Sequence, residues 1–220
     1  MPLTCSERSG YAYLRELRGD DEESVEDVDT WTAITLVDRL LVDAPGAAVR
    51  PGEASRLCAA DRDRILAAIY VREVGARIQA APTCPACGKT FDVDFRLDEL
   101  IETVEPSYEG VARVGDGRFA LEDGTCIRIP NGEDELVSSA ARDPSAALIE
   151  RCVERGAIDA ERLGELLERL APVMDLAIDA AWAECGRVAR GYGWSLAEIL
   201  SMPRNRRRSY VDLVEREART

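Results

Sequence analysis

Val111–Pro130 reads VARVGDGRFALEDGTCIRIP, and its texture differs from everything around it. Gly-Asp-Gly and Asp-Gly separate short β-prone runs, and such dipeptides favour tight hairpin turns because glycine reaches positive φ without steric cost. Two hairpins or one small meander are both compatible with this spacing. The flanking stretches have a different period. In TWTAITLVDRLLVDA, from Thr30 to Ala44, the residues Trp31, Ile34, Leu36, Val37, Leu40 and Leu41 fit one broad helical face, with a strand at its start as the other reading. In PGEASRLCAADRDRILAAIYVREVG, the residues Leu57, Ile65, Leu66, Ile69 and Val74 form an apolar stripe. Pro51 suits a helix start, Asp61 can cap a second segment, and Gly75 suits a stop. The residues Arg62, Asp63, Arg64, Arg72 and Glu73 lie mostly off that stripe, as on a solvated face.

After the β-prone stretch, helices are expected over about 133–140, 144–155, 159–170 and 172–190, then a short one over 196–201 and a last one from Pro203 to about 218. The expected fold is therefore α+β: predominantly helical, with a small antiparallel β-hairpin or meander insertion and a CPxCG knuckle. Four parts follow along the chain: a flexible acidic segment over 1–29, a helical part with the knuckle over 30–105, the β-hairpin region over 106–130, and a C-terminal helical part over 131–220. The run GDDEESVEDVD, residues 19–29, offers little to bury. It reads as a solvated segment or as an arm that orders on a partner.

Composition limits the chemistry. The 220 residues contain no histidine, which removes Ser–His and Cys–His nucleophile pairs and the commonest general base. Lys89 is the single lysine, so arginine supplies nearly all the positive charge. A formal net charge of −14 opposes nonspecific binding of nucleic acid. No apolar run approaches the roughly 20 residues of a membrane-spanning helix, and the polar opening MPLTCSERSG lacks a secretory core. A cytoplasmic location is expected, with most of the seven cysteines acting as small buried hydrophobes.

Two constellations stand out. Cys84 and Cys87, in CPACG, present two thiols around a tight turn, a spacing that zinc ribbons use. A structural zinc, a turn that keeps its cysteines without metal, and a redox pair are three readings of it. Cys126 is the best third ligand candidate. Phe91, Val93 and Phe95 then alternate with Asp92 and Asp94, as in a half-buried strand whose acids face solvent. The second constellation is GYGWSLAEILSMPRNRRRSYVDL, from Gly191 to Leu213. Ser195 and Glu198 have capping-box spacing. On a helix from Pro203, Arg204, Arg207 and Arg208 share a side, while Tyr192, Trp194, Ile199, Leu200 and Tyr210 supply apolar and aromatic anchors. This end either packs on its own domain with a basic edge or docks on a partner, since aromatic and arginine anchors are what protein interfaces favour.

The order of these pieces resembles a known family. Asp61–Arg62 opening a helix, the Cys84/Cys87 knuckle, Arg128–Pro130 with Asp134, and then Tyr192, Trp194, Ile199, Leu200, Pro203, Arg207, Arg208 and Tyr210 together resemble the T4-type baseplate proteins of contractile phage tails and phage-tail-like injection systems. The resemblance spans most of residues 30–215. It implies a non-enzymatic assembly factor that works by protein–protein contact with hub or spike components and can become part of the particle. A basic terminal patch on an acidic body would orient it on an acidic partner. The alternatives are a cytoplasmic zinc-stabilised protein-binding adaptor and a carboxylate-based hydrolase.

Overall fold

The computed structural model describes residues 1–6, 8, 10–25, 29–81 and 87–173. They form helices and small antiparallel sheets, a mixed α+β chain. None of the helices among the described residues is long and apolar enough to cross a membrane.

The N-terminal strands β1 (Pro2–Leu3) and β2 (Gly10–Tyr11) pair antiparallel and are followed by a short helix α1 (Gly19–Glu23). This differs from the expected solvated arm. Asp21 and Glu22 are buried, because Arg15 and Arg39 reach over the α1 turn and neutralise Asp21 there. Helix α2 (Thr30–Leu40) starts at Asp29, whose carboxylate accepts from the Thr32 amide. Ile34, Leu36, Val37 and Leu40 face the interior as the period predicts, but Trp31 is 61% exposed. It sits in the first helical turn, outside the buried arc of the stripe.

Helix α3 (Ala59–Glu73) begins at Cys58 after a single 3-10 turn over Ala54–Arg56. Its apolar stripe, through Ile65, Leu66 and Ile69, joins α2 in one core cluster. The expected solvated face does not include Arg62 and Glu73, which are buried, each in an ion pair. Strand β3 (Arg77–Ala80) pairs with β4 (Val93–Arg96), and helix α4 (Leu97–Thr103) follows directly. Asp94 lies on the exposed side of β4 and takes a bidentate bond from Arg77, while Phe91 is left largely exposed.

The β-prone stretch forms β5 (Val111–Gly115), β6 (Arg118–Leu121) and β7 (Cys126–Arg128), a meander rather than two separate hairpins. Gly117 and Gly124 sit in the two turns at φ +63° and +83°. A fourth strand, β8 (Val153–Arg155), completes the antiparallel sheet in the order β5-β6-β7-β8. The helix expected to run to 155 ends at Cys152 instead. Its last residues gain ladder bonds to β7 that a further helical turn could not offer. Helices α5 (Gly132–Ser139), α6 (Pro144–Cys152) and α7 (Ala160–Leu170) open on Asn131, Asp143 and Asp159, each accepting from a backbone amide of its first turn. Leu163, Leu166 and Leu170 of α7 pack with Phe119, Leu121 and Ile127 of the sheet, closing a second core cluster that also contains Cys5 and Cys58.

Candidate functional site

The four motif residues fall into two groups: Arg128 of β7 meets Asp134 of α5, while Asp61 and Arg62, adjacent on α3, face different partners. Asn131 and Asp134 form a reciprocal cap: the Asn131 side chain accepts from the Asp134 amide at 3.1 Å, and the Asp134 carboxylate accepts from the Asn131 amide at 3.0 Å. That arrangement turns the Asp134 carboxylate back toward the end of β7. Arg128 donates to both of its oxygens, and Arg151 of α6 donates through Nε at 2.6 Å. Asp134 is fully buried, so one carboxylate ties β7, α5 and α6 together. Burial would raise its pKa, but the bonds from Arg128, the Asn131 amide and Arg151 outweigh burial and hold it below the ordinary carboxylate value.

The next residue of α5 continues the connection. Glu135 accepts from Arg62 Nη2 at 2.6 Å, which links α5 to α3. Arg62 is 5% exposed, so this is a largely desolvated pair. Its neighbour Asp61 faces the N-terminal segment. One Asp61 oxygen accepts from the Thr4 amide at 2.8 Å and the Thr4 hydroxyl at 3.0 Å; the other accepts from the Cys5 amide at 3.1 Å and the Ser6 amide at 2.7 Å. Asp61 therefore anchors the first six residues of the chain to α3, in addition to sitting in the first turn of its own helix. Asp21 repeats the pattern elsewhere: Arg15 donates to both oxygens at 2.6 and 2.7 Å, Arg39 at 3.2 Å and the Arg18 amide at 2.9 Å. Burial opposes these bonds here too, and the net effect is a lowered pKa.

The anchor at Asp61 places three potential metal ligands side by side. The sulfurs of Cys5 and Cys58 and a carboxylate oxygen of Asp61 all lie within 4.8 Å of one another, a buried group that could hold a metal ion. The fit is uneven. Four protein donors already fill the acceptor positions of Asp61, so only the two sulfurs are available without breaking hydrogen bonds. The two thiols shift each other's titration in opposite directions: the Cys58 thiol beside Cys5 acts on it as a donor. This lowers the Cys5 pKa against the opposing effect of burial, and raises that of Cys58, which burial raises further.

The CPACG knuckle lies only in part among the described residues. Cys87 is exposed, and Cys84 lies outside the described residues. Cys126, the expected third ligand, is half-buried on β7, with Arg155 Nη2 at 3.1 Å from its sulfur. The eight partner-binding candidates Tyr192, Trp194, Ile199, Leu200, Arg204, Arg207, Arg208 and Tyr210 also lie outside the described residues. Sequence reasoning missed the Cys5–Cys58 pair altogether. The two residues are remote in the chain, no local spacing joins them, and only the Asp61 anchor brings them together.

Comparison with family models, with curated proteins and with solved structures returns no match for this chain.

Proposed function

We propose that this chain is a non-catalytic assembly factor of a contractile, phage-tail-like injection machine, acting by protein contact on hub or spike components of the baseplate. The observation that carries the reading is the ordered series of segments from Asp61–Arg62 through Arg128–Asp134 to Tyr192–Tyr210. Supporting it, the motif residues Asp61, Arg62, Arg128 and Asp134 are engaged in anchoring the chain's own helices and strands. Charged groups committed to internal ion pairs build a stable body, and that is the role a scaffold for a docking element needs. The arginine and aromatic anchors of the last thirty residues then supply the contact, on a body whose net charge of −14 would leave the basic end electrostatically distinct.

The rival reading, a zinc-stabilised adaptor, depends on a cysteine-held metal. It rests on the Cys84/Cys87 knuckle, of which Cys87 alone lies among the described residues, and about one zinc per chain, lost in Cys84→Ser, would favour it.

The test is affinity capture. The protein is expressed with the sheath, tube, hub and spike proteins of a contractile tail. Capture of a hub or spike protein is expected, and Trp194→Ala should reduce it at least tenfold without moving the thermal midpoint. If no tail component is captured and tails assemble normally in a deletion strain, the assembly reading fails.

A further inference from the structure

The chain begins with a segment that is held on both sides of a pair of thiols. On one side, the backbone amides of residues 4, 5 and 6 all donate to Asp61. On the other, the Cys58 amide donates to Ser6 Oγ at 3.2 Å, and that hydroxyl lies 3.6 Å from the Cys58 sulfur. The Cys5 and Cys58 backbones are thus pinned to each other through two short, independent connections. Their sulfurs lie within 4.8 Å, and both residues are almost fully buried. Among the free cysteines of the described residues, Cys87 is exposed and Cys126 half-buried.

We propose that Cys5 and Cys58 form a reversible dithiol–disulfide pair that locks the N-terminal segment onto the first turn of α3. A metal is the competing use of two such thiols. The third group in reach, Asp61, is saturated by four donors, whereas a disulfide needs no third group and leaves every one of those bonds intact. Closure needs rotation of the cysteine side chains to bring sulfur to bonding distance, with the backbone staying on its Asp61 and Ser6 contacts.

The oxidant is a low-molecular-weight disulfide, RSSR. The Cys5 thiolate attacks one sulfur of RSSR, forming Cys5–S–S–R and releasing RS⁻. Cys58 then loses its proton to solvent and attacks the Cys5 sulfur, releasing the second RS⁻. Two protein thiols and RSSR become one protein disulfide and two RSH, the protein losing two electrons and the reagent gaining them. The thiol most suited to attack is Cys5, whose pKa the neighbouring Cys58 lowers. The reagent reaches it when the N-terminal edge opens. That edge is held by the β1–β2 pairing, by reciprocal Met1–Ala12 backbone bonds and by the Asp61 contacts, and releasing these requires no unfolding of α3.

The pair encloses a long loop, from residue 5 to residue 58, so the disulfide should restrict the unfolded chain substantially. The proposal stands apart from the assembly reading and is tested without any partner. Full-length protein is equilibrated in buffers of reduced and oxidised glutathione, quenched in acid, alkylated and digested with trypsin. A disulfide-linked pair of the peptides 1–8 and 57–62 is expected, with the thermal midpoint of the oxidised form raised by about 5–10 °C. Neither should occur in Cys5→Ala or Cys58→Ala, while Cys152→Ala should behave as wild type. Asp61→Asn, which loosens the anchor that holds the two thiols side by side, should lower the equilibrium yield of the linked pair several-fold. Two results overturn the proposal: both thiols remaining fully alkylatable after equilibration in the most oxidising buffer, or the disulfide forming between other cysteines. Stoichiometric zinc that copurifies, protects both thiols and leaves with loss of the folded state would overturn it as well.

Discussion

Asp134→Ala removes the carboxylate on which β7, α5 and α6 converge. The Asp134 side chain has no exposure, and that of its main partner Arg128 is 14% exposed. Deleting one member of a buried ion pair costs about 3–5 kcal/mol, because the remaining charge stays desolvated. The Arg151 contact adds little, since its side chain is 35% exposed and solvent screens it; surface pairs are worth about 0–1 kcal/mol. The Asn131 amide also loses its acceptor, but the Asn131 side chain still caps α5, so the helix start survives in part. A total near 4 kcal/mol follows. For a chain of this size that lowers the thermal midpoint by roughly 8–16 °C, a large fraction of a typical domain's stability. The assay is thermal and urea unfolding of wild type, Asp134→Ala and Asp134→Asn, with Asp94→Ala as the control. Asp94 also carries a bidentate arginine and a pKa lowered to about 2, chiefly by the Arg77 hydrogen bonds, but it faces solvent, and its loss should leave the midpoint where it was. Asp134→Asn should fall between wild type and alanine. If Asp134→Ala melts with Asp94→Ala, the carboxylate does not hold these elements together and the structural reading of the motif is wrong.

The pH dependence has a defined sign. Asp21 and Asp134 both have folded pKa values below the ordinary one, so the unfolded chain binds more protons in acid. The stability they contribute is complete above the unfolded value of about 4 and is lost as pH falls toward their folded values. Thermal midpoints between pH 7 and pH 3 should fall in that lower range, and less steeply in Asp134→Asn; equal slopes would contradict the assignment. Two glycines should respond oppositely to alanine. Gly156 has φ +85°, and a Cβ there would meet the Thr125 hydroxyl at 2.6 Å and its Cα at 2.9 Å, so Gly156→Ala should destabilise by about 2–4 kcal/mol. Gly164, in the interior of α7 with open space at its Cβ position, should gain about 0.5–1 kcal/mol as alanine. Urea midpoints check both signs. Thiol labelling should also divide the cysteines: the exposed Cys87 reacts with maleimide in native protein, whereas Cys152, buried with its pKa raised to about 11, reacts only after denaturation. Mass mapping of the labelled peptides reads this directly.

Much of the architecture was legible along the chain because its causes are local. The 3.6-residue stripe of α2, the Asp-Gly and Gly-Asp-Gly turns of the β5–β7 meander, and the Asn, Asp and Pro starts of the later helices all act within a few residues. The alternating Phe91–Phe95 run gave β4, although its partner β3 had no comparable pattern. The motif residues Asp61, Arg62, Arg128 and Asp134 could be singled out in the sequence, but nothing in their spacing said that they are engaged in ion pairs and backbone anchors. Arg62 read as a solvated position because a single helix shows only its own face. Its burial arises from α5, which brings Glu135 against it.

The same distinction separates the two cysteine sets. CPACG announces itself because its thiols are three residues apart. Cys5 and Cys58 are 53 positions apart (58 − 5), and their neighbourhood exists only because Asp61 collects three successive amides of the N-terminal segment. From the sequence alone come the α+β class, the ranges of α5 and α7 to within a residue, the absence of histidine chemistry and the order of motifs. Tertiary structure alone decided which charges are buried, that β8 joins the sheet, and that two distant thiols share a site. Periodicity, capping and turn preference depend on neighbours along the chain, whereas burial and ligand geometry depend on neighbours in space.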